Sequence, residues 1–404
     1  MSEDLELQTL LRTDLHTHAD RLGVPSTPTA AVLDQGRQLR RRRRVVAGAG
    51  AIAAGVALGG ALLLTLPTAR DQTAPDPAST PDDVAVFAVG SHVYVGATSV
   101  EVPGTAHSLH YTSEGVLVRS NDRGGTSDGS GPEHLTLVGG DGRAHDLGEV
   151  PEGHGPATDP TLPYYALAEQ RGGELYAVVR DVATGEEVRK LPLPDLDRGA
   201  WDVPPLALSG DVIYADFADE TYAVDWRSGS EVDTVVGSSN VRAGLAVSGA
   251  GRRSTVLDAR TGRTLLSATR PRGSYGWFDL SPDGSYAMLF VEETADGSEI
   301  TETDVYDVAT GAHVTLAGAP WELGWTRDGH VYRVDDDVVT TCSPVTGECS
   351  YEIVTIARVP EPAPVERTET TCNKRGENCG TMTWTETPDE PANKVTLAGR
   401  SYES

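Results

Sequence analysis

Hydrophobic residues follow different rhythms in successive parts of this chain. Leu7, Leu11, Leu15 and Leu22, with Leu10 beside them, recur at helical spacing between acidic and polar residues. That spacing predicts one amphipathic helix over residues 3–22, ended by Gly23-Val24-Pro25. Residues 45–66, VVAGAGAIAAGVALGGALLLTL, carry no charge, and as a helix they would extend about 33 Å at ~1.5 Å per residue. A single transmembrane helix is expected there. Residues 67–83 are rich in Pro, Thr and Asp without periodicity and read as an extended stalk. From Val84 onward the pattern changes to short alternating runs between Gly-rich turns, the signature of strands.

The flanks of the apolar stretch set its expected direction. Arg40, Arg41, Arg42, Arg43 and Arg44 stand immediately before it, whereas Thr68, Ala69, Arg70 and Asp71 follow. The positive-inside bias then puts residues 1–44 in the cytoplasm and everything after Leu66 outside the membrane. A cleaved signal peptide is the rival, but its charged region would be 44 residues long and its apolar part longer than usual.

Two kinds of turn recur in the strand-rich region. One has the form D-x-x-T/S-G: Asp181 to Gly185, Asp225 to Gly229, Asp258 to Gly262, Asp307 to Gly311, and the variant Ser343 to Gly347. Gly supplies a positive φ, and Asp or Ser can bond the local backbone. Adding Gly142, these glycines recur every ~41 residues. The other kind precedes each of them, at Thr112 to Gly115, Gln170 to Gly173, Ser209 to Asp211, Ser248 to Gly251, Ser281 to Gly284 and Thr326 to Gly329. Two turns per period mean about four strands per unit, the arithmetic of a β-propeller blade, which a pair of β-sandwiches does not match.

The SPDG turn before an apolar strand, followed by a D-x-x-T-G hairpin, resembles the WD-repeat-like and TolB-like β-propellers. The whole layout resembles single-pass bacterial envelope proteins that carry such a domain. The resemblance implies an all-β propeller over residues 84–357, without the family's Gly-His and Trp-Asp signature apart from Trp201-Asp202. The strands around 84–102 and Lys394 to Gly399 would close a seventh blade, with six or eight blades as alternatives. Residues 358–404 then comprise a Pro linker, a Cys-paired segment and this closing strand.

Charge narrows the function. The chain has 404 residues, 33 Lys plus Arg against 60 Asp plus Glu, and a net charge of −27. Such an acidic surface repels nucleic acid. The four cysteines form two C-x6-C pairs, Cys342 with Cys349 and Cys372 with Cys379. Outside the membrane they are expected as disulfides. Alignment with the other hairpins puts Cys342 where Tyr306 and Arg180 stand and Cys349 where His313 and Glu187 stand, facing each other across one hairpin. The spacing does not match the short pairs of structural zinc sites.

Several motifs imitate chemistry. Gly48-Ala-Gly50 after Val45-Val46 mimics a dinucleotide turn, but no βαβ pattern continues from it. Asp14-Leu-His16-Thr-His18-Ala-Asp20 resembles the metal motif of polymerase and histidinol phosphatase type phosphoesterases, yet on a helix residues two apart diverge by ~200°. Gly125-Thr-Ser127-Asp-Gly129 lacks the strand and helix of a nucleophile elbow. Asp195, Asp197, Asp202 and the run Asp335 to Asp337 do not follow calcium-loop spacing.

The sequence therefore predicts a non-enzymatic envelope protein with no catalytic residue, metal or cofactor: a propeller held outside a lipid bilayer that binds a protein or a cell-wall ligand. The alternatives are a hydrolase or lyase acting on envelope polysaccharide, and a transmembrane sensor whose cytoplasmic helix meets a partner.

Overall fold

The computed structural model describes residues 83–400, except for 123–131, 152, 154, 200–201, 235–239, 251, 271–273, 292–299, 359–364, 373–378 and 387–393. The amphipathic segment 3–22, Arg40 to Arg44, the apolar span 45–66 and nearly all of the stalk lie outside the described residues, as does the Gly125 to Gly129 motif.

The strands form seven antiparallel sheets in ring order, each a blade. Blade 2 comprises Thr105–Thr112, Gly115–Asn121, Glu133–Val138 and Ala144–Val150; blade 3 comprises Ala157–Thr158, Tyr164–Arg171, Glu174–Asp181 and Glu187–Pro192. Blade 4 has Leu206–Ser209, Val212–Asp216 and Thr221–Asp225, its fourth strand reduced to a bridge between Val224 and Glu231. Blade 5 is Val241–Arg242, Leu245–Ala250, Arg253–Asp258 and Thr264–Thr269; blade 6 is Gly276–Leu280, Tyr286–Val291, Glu302–Asp307 and His313–Ala317. Blade 7 is Gly324–Trp325, Val331–Asp335, Val338–Cys342 and Cys349–Ile353. In each blade the first strand is innermost and the last is the most exposed, as the fully exposed Cys349–Ile353 illustrates.

Blade 1 closes the ring. Its second, third and fourth strands are Val86–Val89, His92–Val95 and Thr98–Glu101, but its innermost strand is Val395–Leu397, paired with Val86–Val89 in the register Phe87 with Leu397 and Val89 with Val395. Pairing the two ends of the domain completes blade 1 and closes the ring. Tyr332 of blade 7 reinforces the closure: its hydroxyl donates to the Val86 carbonyl and accepts from the Ala398 amide at 2.8 Å.

The core is a set of seams rather than one centre. Seven buried apolar clusters each join neighbouring blades: Val93 and Val100 with Leu109 and Val116 between blades 1 and 2, Leu117 and Leu137 with Tyr165 and Leu167 between 2 and 3, and so on round to Tyr332 and Val339 with Phe87 and Tyr94 between 7 and 1. Inner strands are therefore buried on both faces, which explains runs such as Tyr286-Ala-Met-Leu-Phe-Val291 without alternation.

The D-x-x-T/S-G turns join third to fourth strands. In each, the Gly amide donates to the carbonyl four residues back, for example Gly262 to Asp258 at 2.8 Å. The Asp carboxylate accepts the amide three residues on, as from Thr261 to Asp258 at 2.7 Å and from Ser228 to Asp225 at 2.7 Å. These bonds hold Asp225 and Asp258 below the usual carboxylate range. The second class of turns divides. Thr112 to Gly115, Ser209 to Asp211, Ser281 to Gly284 and Thr326 to Gly329 connect first to second strands, whereas Gln170 to Gly173 and the turn that follows Ser248 connect second to third. Turn chemistry fixes the reversal of the chain but not which strands it joins.

Cys342 and Cys349 are bonded, with Cα atoms 4.0 Å apart. They are register partners, as are Tyr306 with His313 and Arg180 with Glu187 in the equivalent hairpins. Because Ser343 donates to the Glu348 carbonyl, the cysteine pair occupies a non-hydrogen-bonded position, where Cα atoms approach most closely. Cys372 and Cys379 are likewise register partners in the separate hairpin Val365–Cys372 and Cys379–Glu386.

Candidate interaction face

Strand direction sorts the loops onto two faces. Turns from first to second and from third to fourth strands open on one face, together with the ends of the domain at residues 83 and 400. Loops between blades, and turns from second to third strands, open on the other.

On the first face the mouth of the channel is latched by the protein itself. Arg242 ends the innermost strand of blade 5. Its guanidinium donates to the carbonyls of Leu280 in blade 6 at 2.8 Å, of Arg400 at 2.9 Å and of Gly399. Burial draws its pKa downward, while Asp279, Asp159 and Tyr111 oppose that shift. Gly399 is required here: its φ is 80°, and a Cβ would stand 2.5 Å from the Trp325 carbonyl oxygen.

The surrounding polar groups cross-link blades. Asp279 Oδ2 accepts from Trp325 Nε1 at 3.1 Å, and the Tyr111 hydroxyl donates to the Trp325 carbonyl at 3.0 Å. Asp159 Oδ2 accepts from the Gly210 amide at 2.7 Å, and Arg327 Nη2 donates to the Pro160 carbonyl at 2.5 Å. Burial pushes the Tyr111 phenol well above its ordinary range. Carboxylates, arginines and a tyrosine thus converge on the channel, but each of these named bonds ties one segment of the ring to another.

The opposite face carries aromatic surface on blades 6 and 7. Trp277 stacks on Phe290 with ring centroids 4.5 Å apart and planes 13° apart. Tyr275 stands edge-on to Trp277 at 61°, and Trp321 is tilted 60° to Phe290. Tyr275 is 65% exposed and Trp321 43%, while Phe290 is buried. Arg400 lies over the Phe290 ring at 5.8 Å and donates from Nη1 to the Trp321 carbonyl at 3.2 Å. Arg270 lies 6.0 Å from the Tyr275 centroid. Arg400 therefore links the faces, its carbonyl held by Arg242 and its guanidinium beside Trp321.

Among the residues singled out in the sequence, Cys342 and Cys349 staple the outer hairpin of blade 7. Asp195, Asp197 and Asp202 are exposed in the loop between blades 3 and 4. Asp335 to Asp337 form the turn between the second and third strands of blade 7, where Arg333 pairs with Asp335 at 2.9 Å and Arg358 with Asp336 at 3.3 Å. Among the described residues no group of three or more His, Cys, Asp or Glu is placed to hold a metal ion. Sequence reasoning missed Arg242, Arg400, Tyr275 and Trp321. Trp321 carried a faint signal, as a Trp between the Pro320 turn and a Gly-Trp strand.

No family model matches the chain, and no curated protein matches it. Solved structures do resemble it in outline. A Kluyveromyces lactis Hsv2 structure is 10% identical with a TM-score of 0.40, covering 69% of this chain and 97% of its own. A chain of the mitotic checkpoint complex is 14% identical with a TM-score of 0.41, covering 86% and 99%. Kuenenia stuttgartiensis hydrazine synthase is 14% identical with a TM-score of 0.37, covering 59% and 76%. The count of seven blades rests on the strand order itself.

Proposed function

We propose that this chain is a non-enzymatic binding module, a propeller anchored to a membrane by residues 45–66 that presents its inter-blade loop face to a protein outside the cytoplasm. The observation that carries the reading is the contrast between the faces. One mouth of the channel is filled by Arg242 and the tail residues Gly399 and Arg400. The other face exposes Tyr275 and Trp321. Trp, Tyr and Arg are the residue types that dominate protein-binding hot spots. The bonded Cys342 and Cys349 fit an oxidising compartment, and Arg40 to Arg44 before an uncharged span fit a cytoplasmic N-terminus.

Two measurements test it. A membrane-impermeant thiol reagent applied to intact cells should label a cysteine placed at position 72 and not one at position 30; the reverse pattern refutes the topology. A photocrosslinker placed at Tyr275 should capture a defined protein that the same probe at Thr264, on the outer strand of blade 5, does not. Equal capture from both positions refutes the choice of face.

A further inference from the structure

Resting on the reading of a binding module, we infer that the aromatic cluster of Tyr275, Trp277, Phe290 and Trp321 docks an acidic segment of a partner protein. An apolar side chain of that segment packs on the exposed Tyr275 and Trp321 rings, and a carboxylate pairs with Arg400. The rings do not form a flat platform. Trp277 and Phe290 are stacked, and both exposed rings turn about 60° away from that stack. Exposed rings set at different tilts suit apolar side chains, whereas a sugar ring stacks best on a ring lying flat. The observations therefore favour a polypeptide.

Charge selects its chemistry. Arg400 has five N–H donors. One of them serves the Trp321 carbonyl, and among the described residues no carboxylate lies in ion-pair range of it. The neighbouring acid, Glu322, accepts from the Ala319 amide at 2.9 Å. Arg400 is also preorganised, held on an aromatic face with its own backbone carbonyl in the grip of Arg242. A guanidinium fixed in this way takes a carboxylate in a bidentate fork at little entropic cost. It is a local cation on a chain whose net charge is −27. At ~0.15 M salt the screening length is ~8 Å, so repulsion from distant acids is damped while the contact pair persists.

The test uses the full chain in detergent and a short acetylated, fluorescent peptide of Glu, Asp and Gly around a central Phe, read by anisotropy. Companion peptides replace the acids by Lys or the Phe by Ala. The acidic Phe peptide should bind, both companions should bind at least ~10-fold more weakly, and Arg400→Gln, Trp321→Ala and Tyr275→Ala should each weaken it by a similar factor. Tyr275→Ala alters an exposed side chain and leaves the thermal midpoint unchanged, so its loss of binding cannot be assigned to unfolding. Absence of binding by the acidic peptide, equal binding of the Lys peptide, or indifference to Arg400→Gln and Tyr275→Ala would each overturn the inference. If the in-cell crosslink from Tyr275 still captures a defined protein while Arg400→Gln leaves that capture intact, the acidic-segment inference fails and the binding module stands. If the crosslink captures only glycan, both fail.

Discussion

The guanidinium of Arg242, on the innermost strand of blade 5, holds the backbone carbonyl of Arg400 at 2.9 Å, although 158 residues separate them. With Leu280 and Gly399 this makes three carbonyls on one cation, so the last described turn of the chain is locked into the channel by the far side of the ring.

Removing this latch should loosen the whole ring. Arg242→Met leaves three carbonyls to find water in a crowded mouth, and a hydrogen bond to a charged group contributes about 1.5–3 kcal/mol. Chemical denaturation should show a loss of about 2–3 kcal/mol with an unchanged slope. An unaltered midpoint would mean that the tail is held by the strand Val395–Leu397 alone.

The buried tyrosines predict a loss of stability in alkali. Burial pushes Tyr165 up to about 12 and raises Tyr111 and Tyr332 from the ordinary value of 10.0. Above pH 10 the unfolded chain releases these protons while the folded chain keeps them, so the tyrosines' contribution to stability is constant below that value and falls as pH rises through it. Denaturant midpoints measured from pH 8 to about 11.5 should fall at the upper end. Tyr332→Phe, which loses the bonds to Val86 and Ala398, should lower stability at pH 8 by about 1–2 kcal/mol and flatten the alkaline decline.

Acid should act on the turns. The carboxylates of Asp225 and Asp258 sit below their ordinary value of 3.8 because Ser228 and Thr261 donate to them. Their contribution is present above that value and disappears as pH falls through the lower folded one. Replacing both by Asn should therefore reduce the dependence of the thermal midpoint on pH between about 5 and 2, and a slope equal to the parent's would contradict the assignment.

The architecture was legible because each blade repeats the same local chemistry. The Asp258 to Gly262 and Asp307 to Gly311 hairpins announce themselves in sequence, and their period gives the four strands per unit. Closure was also readable, since the strands over 84–102 made only part of a blade and the apolar run from Lys394 to Gly399 was left over at the other end. The latch and the aromatic cluster were not. Arg242 ends a two-residue strand and meets carbonyls brought in from blades 6 and 1, a juxtaposition that no local spacing encodes. Trp321 and Tyr275 belong to different inter-blade loops, and only the ring places them on one surface.

The disulfide should stabilise one hairpin and not the fold. Closing a loop of about eight residues lowers the entropy of the unfolded chain by at most ~2.5 kcal/mol in free-energy terms, less if the hairpin persists after unfolding. Cys342→Ser with Cys349→Ser should lower the thermal midpoint by a few degrees while leaving the β-sheet circular dichroism spectrum unchanged. Collapse of the spectrum would give the bond a larger part than the seams between blades allow.

The two faces exist because the ring is closed by the strand Val395–Leu397 against Val86–Val89. Val89 and Val395 are register partners at a non-hydrogen-bonded position. The pair Val89→Cys with Val395→Cys should oxidise spontaneously in the folded chain, and peptide mapping should recover one cross-linked species joining the two segments. Recovery of both new thiols free, with the native fold intact, would contradict closure of the propeller by its C-terminal strand.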